Sequence, residues 1–288
     1  MSNSNSKTLR ALLDGDTAVL AAGVHDAFSA KLAESIGFEA LFMSGYAVSA
    51  VVNAKPDWSF SSMTDFLGVA RNVVNAVDIP LICDVDQGFG PVTNLIHTIQ
   101  SFQRAGVAGV VVEDQVFPKQ SCYEDGRELY PVQQAAARVR AACEAKEDPD
   151  FILVARSEAS RMEGPGATMR RFEAYLAAGA DYVIPVDCEI EDLSRYCKEL
   201  PGRVFAFGGA HSESLDLDEV GVKAILHSAD TLLAAHQAME TLYRELLDKR
   251  KLSPEFYLAH PSKYPDELDA VLDQPYWEAV RNRYEEGR

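Results

Sequence analysis

Eight short apolar runs recur along the chain: "AVLAAG" (18–23), "EALFMSG" (39–45), "IPLICDVD" (79–86), "GVVVED" (109–114), "FILVARSE" (151–158), "DYVIPVD" (181–187), "RVFAFGG" (203–209) and "KAILHSA" (223–229). They are rich in Val and Ile and do not alternate with polar residues, which is the pattern of strands buried on both faces of a parallel sheet. Between them lie segments of helical period such as "VTNLIHTIQSFQRAG" and "GATMRRFEAYLAAGAD", the latter reaching a glycine where a helix C-cap falls. Eight strand–helix units predict an α/β fold, a (β/α)8 barrel of the TIM type, which takes about 250 residues. The competing open doubly wound sheet lacks its fingerprint, because no GxGxxG follows the first strand. Residues 18–250 are assigned to the barrel, residues 1–17 to an N-terminal segment expected to be partly disordered, and 251–288 to an extra C-terminal helical segment. "DTLLAAHQAMETLYRELLDKRK" (230–251) reads as one long helix, and the aromatic tail beyond it is too apolar to be left in solvent. The tail is therefore expected to pack on a neighbouring subunit, in a homo-oligomer.

The net charge of −17 argues against a nucleic-acid partner, which needs a basic footprint. Five cysteines, an odd number without framework spacing, suit a reducing compartment better than a disulfide scaffold. No apolar stretch is long enough to span a bilayer, and "MSNSNSK" has no apolar signal core. These features predict a soluble, cytoplasmic protein with no membrane partner.

In such barrels the chemistry sits at the C-terminal ends of the strands. Reactive side chains collect there: Asp84 and Asp86 on the third strand, Glu113 and Asp114 on the fourth, Arg156 and Glu158 on the fifth, Asp187 on the sixth. Acids converging on one rim repel one another unless a cation sits among them, and burying them uncompensated is costly. Oxygen ligands without a Cys/His cluster favour Mg²⁺, with Mn²⁺ as the alternative. The paired aspartates are therefore expected to anchor the metal, and "QGFG" to let the backbone turn closely beside it. For the DxD motif alone, a solvated strand end or a helix N-cap is the competing reading. His25 and His211, at the ends of the first and seventh strands, are placed to donate a proton near neutral pH, or to be buried structural histidines.

"DVDQGFG", "GVVVEDQVFPK" and "DPDFILVARSEA" resemble the D-x-D-x-G-[YF]-G, E-D-[QK]-x-x-x-K and A-R-x-[DE]-A motifs of the isocitrate lyase / phosphoenolpyruvate mutase superfamily. "AGVHDAFSAKLAESIGFEALFMSGYAVSA" resembles the opening two βα units of that family, and the likeness runs from about residue 18 to about 245. The resemblance implies a Mg²⁺-dependent barrel that makes or breaks a C–C or C–P bond next to an α-oxo or α-hydroxy carboxylate, through an enolate-like intermediate. It implies that Asp84, Asp86 and Glu113 hold Mg²⁺, that Ser44, Gly45 and Tyr46 bind the substrate carboxylate, and that Arg156 engages the oxygens of the reacting group. Asp57 resembles the acid near the gating segment, and Lys119 the lysine of the mobile loop. Glu158, Asp187 and His211 are expected to line the substrate. By the same resemblance the assembly is a dimer of dimers, with a C-terminal helix exchanged between subunits.

Enolate chemistry suits these residue types on physical grounds, since a divalent cation and an Arg stabilise negative charge developing on an oxygen. A Ser-Gly turn offers backbone N–H groups to a carboxylate. By themselves Ser44-Gly45 could be a tight turn, Arg156 a structural ion pair and Lys119 solvated surface. The loop departs from both branches of the superfamily. Its lyases carry Lys-Arg-Cys-Gly-His, whereas here "PKQSCYEDG" puts Ser121 at the Cys position and Cys122 one residue on. Its mutases carry Lys-x-Asn-Ser, matched here in length but with Ser121 for Asn. Ser121 and Cys122 are accordingly the candidates for polar contact or proton delivery, the thiol needing an electropositive neighbour such as Lys119. The leading expectation is a C–C lyase. The alternatives are a phosphoenolpyruvate/phosphonopyruvate mutase or phosphonopyruvate hydrolase, and a catalytically silent barrel with a binding or assembly role.

Overall fold

The computed structural model describes residues 4–120, 126–209, 220–254, 256 and 264–285. All eight predicted strands are present: β1 Val19–Val24, β2 Ala40–Met43, β3 Leu81–Asp84, β4 Gly109–Glu113, β5 Ile152–Ser157, β6 Tyr182–Pro185, β7 Phe205–Phe207 and β8 Ala224–Leu226. Every pairing is parallel, in the order β6-β5-β4-β3-β2-β1-β8-β7. A parallel bridge from Val183 to Val204 brings β6 beside β7 and all but closes the ring. This is the (β/α)8 architecture.

The strands are surrounded by α2 Ala27–Ile36, α3 Gly45–Asn53, α4 Met63–Ala76, α5 Val92–Arg104, α6 Val132–Glu144, α7 Ala159–Met162, α8 Pro165–Ala177 and α9 Ile190–Glu199, preceded by α1 Ser4–Leu13. Local chemistry sets several ends. Asp26 and Ser62 each open a helix with a capping box, to Ser29 and Asp65, and Gly37 closes α2 at φ 109°.

Successive strand residues face opposite sides, so the barrel has two cores. Leu41, Met43, Leu81, Cys83, Val110 and Val112 pack in the layer beneath the helices. Phe42, Ile82, Val111, Ile152, Tyr182 and Phe205 fill the interior, where they meet Leu9 and Leu13 of α1. Residues 4–13 of the N-terminal segment thus form a helix whose leucines enter the barrel interior. Arg10 fastens α1 to the entry end of the strands by donating to Pro149 O and Asp181 Oδ1, both at 2.9 Å. α1 therefore stops the end of the barrel opposite the C-terminal ends of the strands.

The chain divides into two compact units, Met1–Asp230 and Thr231–Arg288. The second holds almost all of α10 Asp230–Lys249, with α11 Tyr264–Val271 and α12 Gln274–Glu285, so it begins earlier than the tail expected from sequence. Among the described residues no helix is long and apolar enough to cross a membrane.

Candidate active site

β3 ends at Asp84, and two residues on Asp86 leaves the extended conformation at φ 49°, its N–H donating to Asp84 Oδ1 at 3.0 Å. The chain then reverses through Gly88, Phe89 and Gly90, all at positive φ. A Cβ on Gly88 would lie 2.6 Å from Leu95 Cδ1, so only glycine lets this turn pack on α5. Gly45 plays the same part on the other side. A Cβ there would come 3.1 Å from Asp86 Oδ1 and 3.2 Å from Asp84 Oδ2, which places the N-terminus of α3 beside the two aspartates. Helix N-termini carry unpaired N–H groups and a partial positive charge that favour an anion. Ser44, just before that helix, is buried and makes no capping bond; its Oγ lies 2.8 Å from Ser228 Oγ at the end of β8.

Two cations enter this acidic rim. Lys119 Nζ contacts Asp86 Oδ1 and lies 2.8 Å from Asp57 Oδ2. Arg156, on β5, reaches Asp84 Oδ2 at 3.2 Å and Glu113 Oε2 at 3.5 Å, and its Nε donates to Glu158 Oε1 at 2.7 Å. Glu158 is buried and also paired with Arg127. Burial pushes the Asp86 carboxyl up to about 7, with Lys119 opposing and Asp57 and Asp84 adding to the rise. Burial also raises Glu113 well above the carboxylate range, against the pull of Lys119 and Arg156. For Lys119 burial works downward, but the surrounding carboxylates, Asp86 first, outweigh it and hold the ammonium charged.

The donor set fits a hard divalent cation. Among the described residues, Asp57, Asp84, Asp86, Glu113 and Glu158 pair with Lys119, Arg127 and Arg156, five acids to three cations. Glu113 Oε1 is buried with no hydrogen-bond partner among the described residues. Every candidate ligand is a carboxylate oxygen. Among the described residues no three His, Cys, Asp or Glu side chains stand in a metal-holding arrangement; Lys119 and Arg156 pair with Asp86, Asp84 and Glu113 instead. Asp84, Asp86 and Glu113 are the residues that would hold the ion.

The structure brings together Asp57, Asp84, Asp86, Glu113, Lys119, Arg156 and Glu158, with Ser44 and Gly45 at the edge. Glu158 is 1% exposed and held by two arginines, which makes it a support for Arg156. Tyr46 lies on α3 and is 38% exposed. Asp187, at φ 48°, pairs with Arg161 at 3.8 Å. His25 is buried, its Nδ1 without a partner among the described residues and its Nε2 3.8 Å from Asp26. Ser121, Cys122 and His211 lie outside the described residues. Sequence reasoning missed Arg127 and Ser228, and it marked Gln115 only as a departure from the mutase loop, although its Nε2 approaches Glu113 Oε2 at 3.4 Å. It also counted Asp114 with the rim acids, although that side chain is bonded to Arg171 and Tyr175 on α8.

Residues 9–247 match the phosphoenolpyruvate phosphomutase family. The chain is 32% identical over 244 residues to 2,3-dimethylmalate lyase of Eubacterium barkeri, covering 83% of this chain and 84% of that enzyme. Among solved structures, oxaloacetate acetylhydrolase superposes with a TM-score of 0.89 at 26% identity, over 98% of this chain and 97% of that one. Phosphoenolpyruvate phosphomutase from Streptomyces platensis subsp. rosaceus does so with a TM-score of 0.87 at 29% identity, over 97% and 99%. Fold, rim and relatives together define an α/β-barrel enzyme of the lyase, mutase and hydrolase kind. The chain belongs to the phosphoenolpyruvate mutase / isocitrate lyase superfamily.

Proposed function

We propose that the protein is a Mg²⁺-dependent lyase that cleaves a C–C bond in a small α-oxo or α-hydroxy carboxylate. The observation that carries this reading is the juxtaposition of Asp84, Asp86 and the under-partnered Glu113 with Arg156 and Lys119 beside the N-terminus of α3. The α3 N-terminus, opened by Ser44 and Gly45, takes the substrate carboxylate. Arg156 stands where negative charge develops on the enolate oxygen, its orientation fixed by Glu158, which Arg127 holds in turn. Lys119 adds a second positive charge, and Ser121 or Cys122 delivers the proton that replaces the broken bond at carbon. A bound Mg²⁺ supplies Lewis-acid stabilisation of that oxygen. A C–P enzyme is the second reading, favoured by the length of "FPKQSCYEDG" and by 29% identity to the Streptomyces phosphomutase. A silent barrel is disfavoured, because a binding protein has no need of a buried carboxylate oxygen left without a donor.

A Mg²⁺-supplemented panel of 2,3-dimethylmalate, 2-methylisocitrate, oxaloacetate and phosphonopyruvate, with products followed by NMR, tests the proposal. C–C cleavage of one of the first three is expected. Turnover of phosphonopyruvate alone transfers the assignment to the C–P reading. The free thiols of Cys83, Cys143, Cys188 and Cys197 support the cytoplasm as its location. Exposed Tyr243, Leu247, Tyr276 and Trp277 support the dimer of dimers, which sedimentation at micromolar concentration checks.

A further inference from the structure

Between α3 and α4 the chain forms a strap, residues 54–62, tied to α3 by its own hydrogen bonds. Asn53 Nδ2 donates to Ser61 Oγ at 2.9 Å, Ser61 Oγ to Ser49 Oγ at 3.3 Å, and Ser49 Oγ to Asp57 Oδ1 at 3.4 Å. Within it Ser59 holds φ 59°. That left-handed region is uncommon for residues other than glycine and costs energy that the surroundings must sustain. This conformation accompanies one contact across the rim: Ser59 Oγ accepts the backbone N–H of Lys119 at 3.0 Å. The same strap supplies Asp57, which binds Lys119 Nζ at 2.8 Å. Lys119 is thus gripped at both ends, by its main chain and by its ammonium, from a segment 60 positions earlier in sequence.

We infer that Ser59 is a positioning residue: by accepting the Lys119 N–H it latches the start of the catalytic loop to the strap and fixes where the Lys119 ammonium sits. The latch itself is a matter of geometry; its consequence for turnover rests on the reaction proposed above. Asp57 alone restrains only the end of a flexible four-carbon chain, whereas a bond to the main chain fixes the residue from which that chain grows.

Two substitutions isolate the latch. Ser59→Gly keeps the backbone conformation and removes the acceptor; Ser59→Asn tolerates the same φ and returns a side-chain oxygen. Trypsin cuts after Lys119 only when this buried, ion-paired residue opens, so under fast opening the rate reports the open population. Ser59→Gly is expected to speed cleavage after Lys119 by roughly 3- to 10-fold, the scale of one lost hydrogen bond. Ser59→Asn should return it towards the wild-type rate, and cleavage after Arg104 and Lys198 should stay unchanged. On whichever panel substrate is turned over, kcat should fall by a similar factor with KM unaltered. Wild-type cleavage after Lys119 in Ser59→Gly would overturn the inference, as would equal acceleration at all three sites or an Asn variant as labile as the Gly variant. If no panel substrate is turned over, the functional reading fails while the proteolysis still decides the latch.

Discussion

Glu113 and Asp114 are consecutive, both are buried at the end of β4, and their carboxylates live in opposite circumstances. Asp114 accepts from Ser157 Oγ and Tyr175 OH at 2.7 Å, from Glu158 N at 3.0 Å and from Arg171 at 3.3 Å. Glu113 has Gln115 at 3.4 Å and Arg156 at 3.5 Å, and one of its oxygens has no partner among the described residues. Side chains alternate across a strand, so one of these acids meets the ring of functional groups and its neighbour the helix layer. Burial is common to both. What differs is satisfaction: a charge saturated with donors holds structure together, whereas a buried acid short of donors is an unmet demand that a cation answers.

The largest expected effect falls on the under-satisfied side. Asp84→Ala or Asp86→Ala should lower Mg²⁺-dependent turnover by about 10³-fold or more, the several kcal/mol that a metal-stabilised charge represents. Circular dichroism should show the fold intact, because the barrel interior below the rim does not use these residues. Turnover within tenfold of wild type in both variants would erase the contrast between the two kinds of acid.

On the satisfied side the outcome should invert. Asp114→Ala leaves Arg171 and Tyr175 without their shared acceptor and should cost about 3–5 kcal/mol in urea unfolding, the usual consequence of breaking a buried pair. A loss below 1 kcal/mol would show that the network is dispensable.

The smallest effect concerns the thiols. Burial pushes Cys143 and Cys197 up to about 11 and Cys188 up to about 12, and holds Cys83 well above the ordinary thiol value. A raised thiol pKa means less thiolate, the reactive species, at any lower pH. Iodoacetamide should therefore modify these four slowly at neutral pH, with rates climbing about tenfold per pH unit until the pH nears those values. Peptide mapping that finds a fast thiol should find Cys122. Fast modification of Cys83 would contradict the burial described here.

The strands were legible from their unbroken apolar runs, and the rim because four of the eight runs, the third to the sixth, carry an acid or arginine at their C-terminal ends, which a parallel barrel delivers to one place. The "QGFG" turn was legible for the same local reason, since Gly88 has no room for a side chain. Long-range partnerships were not. Nothing around Arg127 marks it as the counter-charge of Glu158, 31 positions away. Asp114 looked like a rim acid because sequence gives position along a strand more readily than the face a side chain takes. Ser59 carries no turn signature, serine being an unusual choice for positive φ. α1 lies in the N-terminal segment expected to be partly disordered, because three leucines in a short, mostly polar stretch do not reveal that they stop a barrel.

The central claim is that Asp84, Asp86 and Glu113 hold a divalent cation, and Mn²⁺ titration followed by the electron paramagnetic resonance of the free ion tests it without any substrate. One site per chain is expected in the wild type, retained in Asp114→Asn and lost in Asp84→Ala. Absence of binding in the wild type, or a site that survives Asp84→Ala unchanged, would contradict the account.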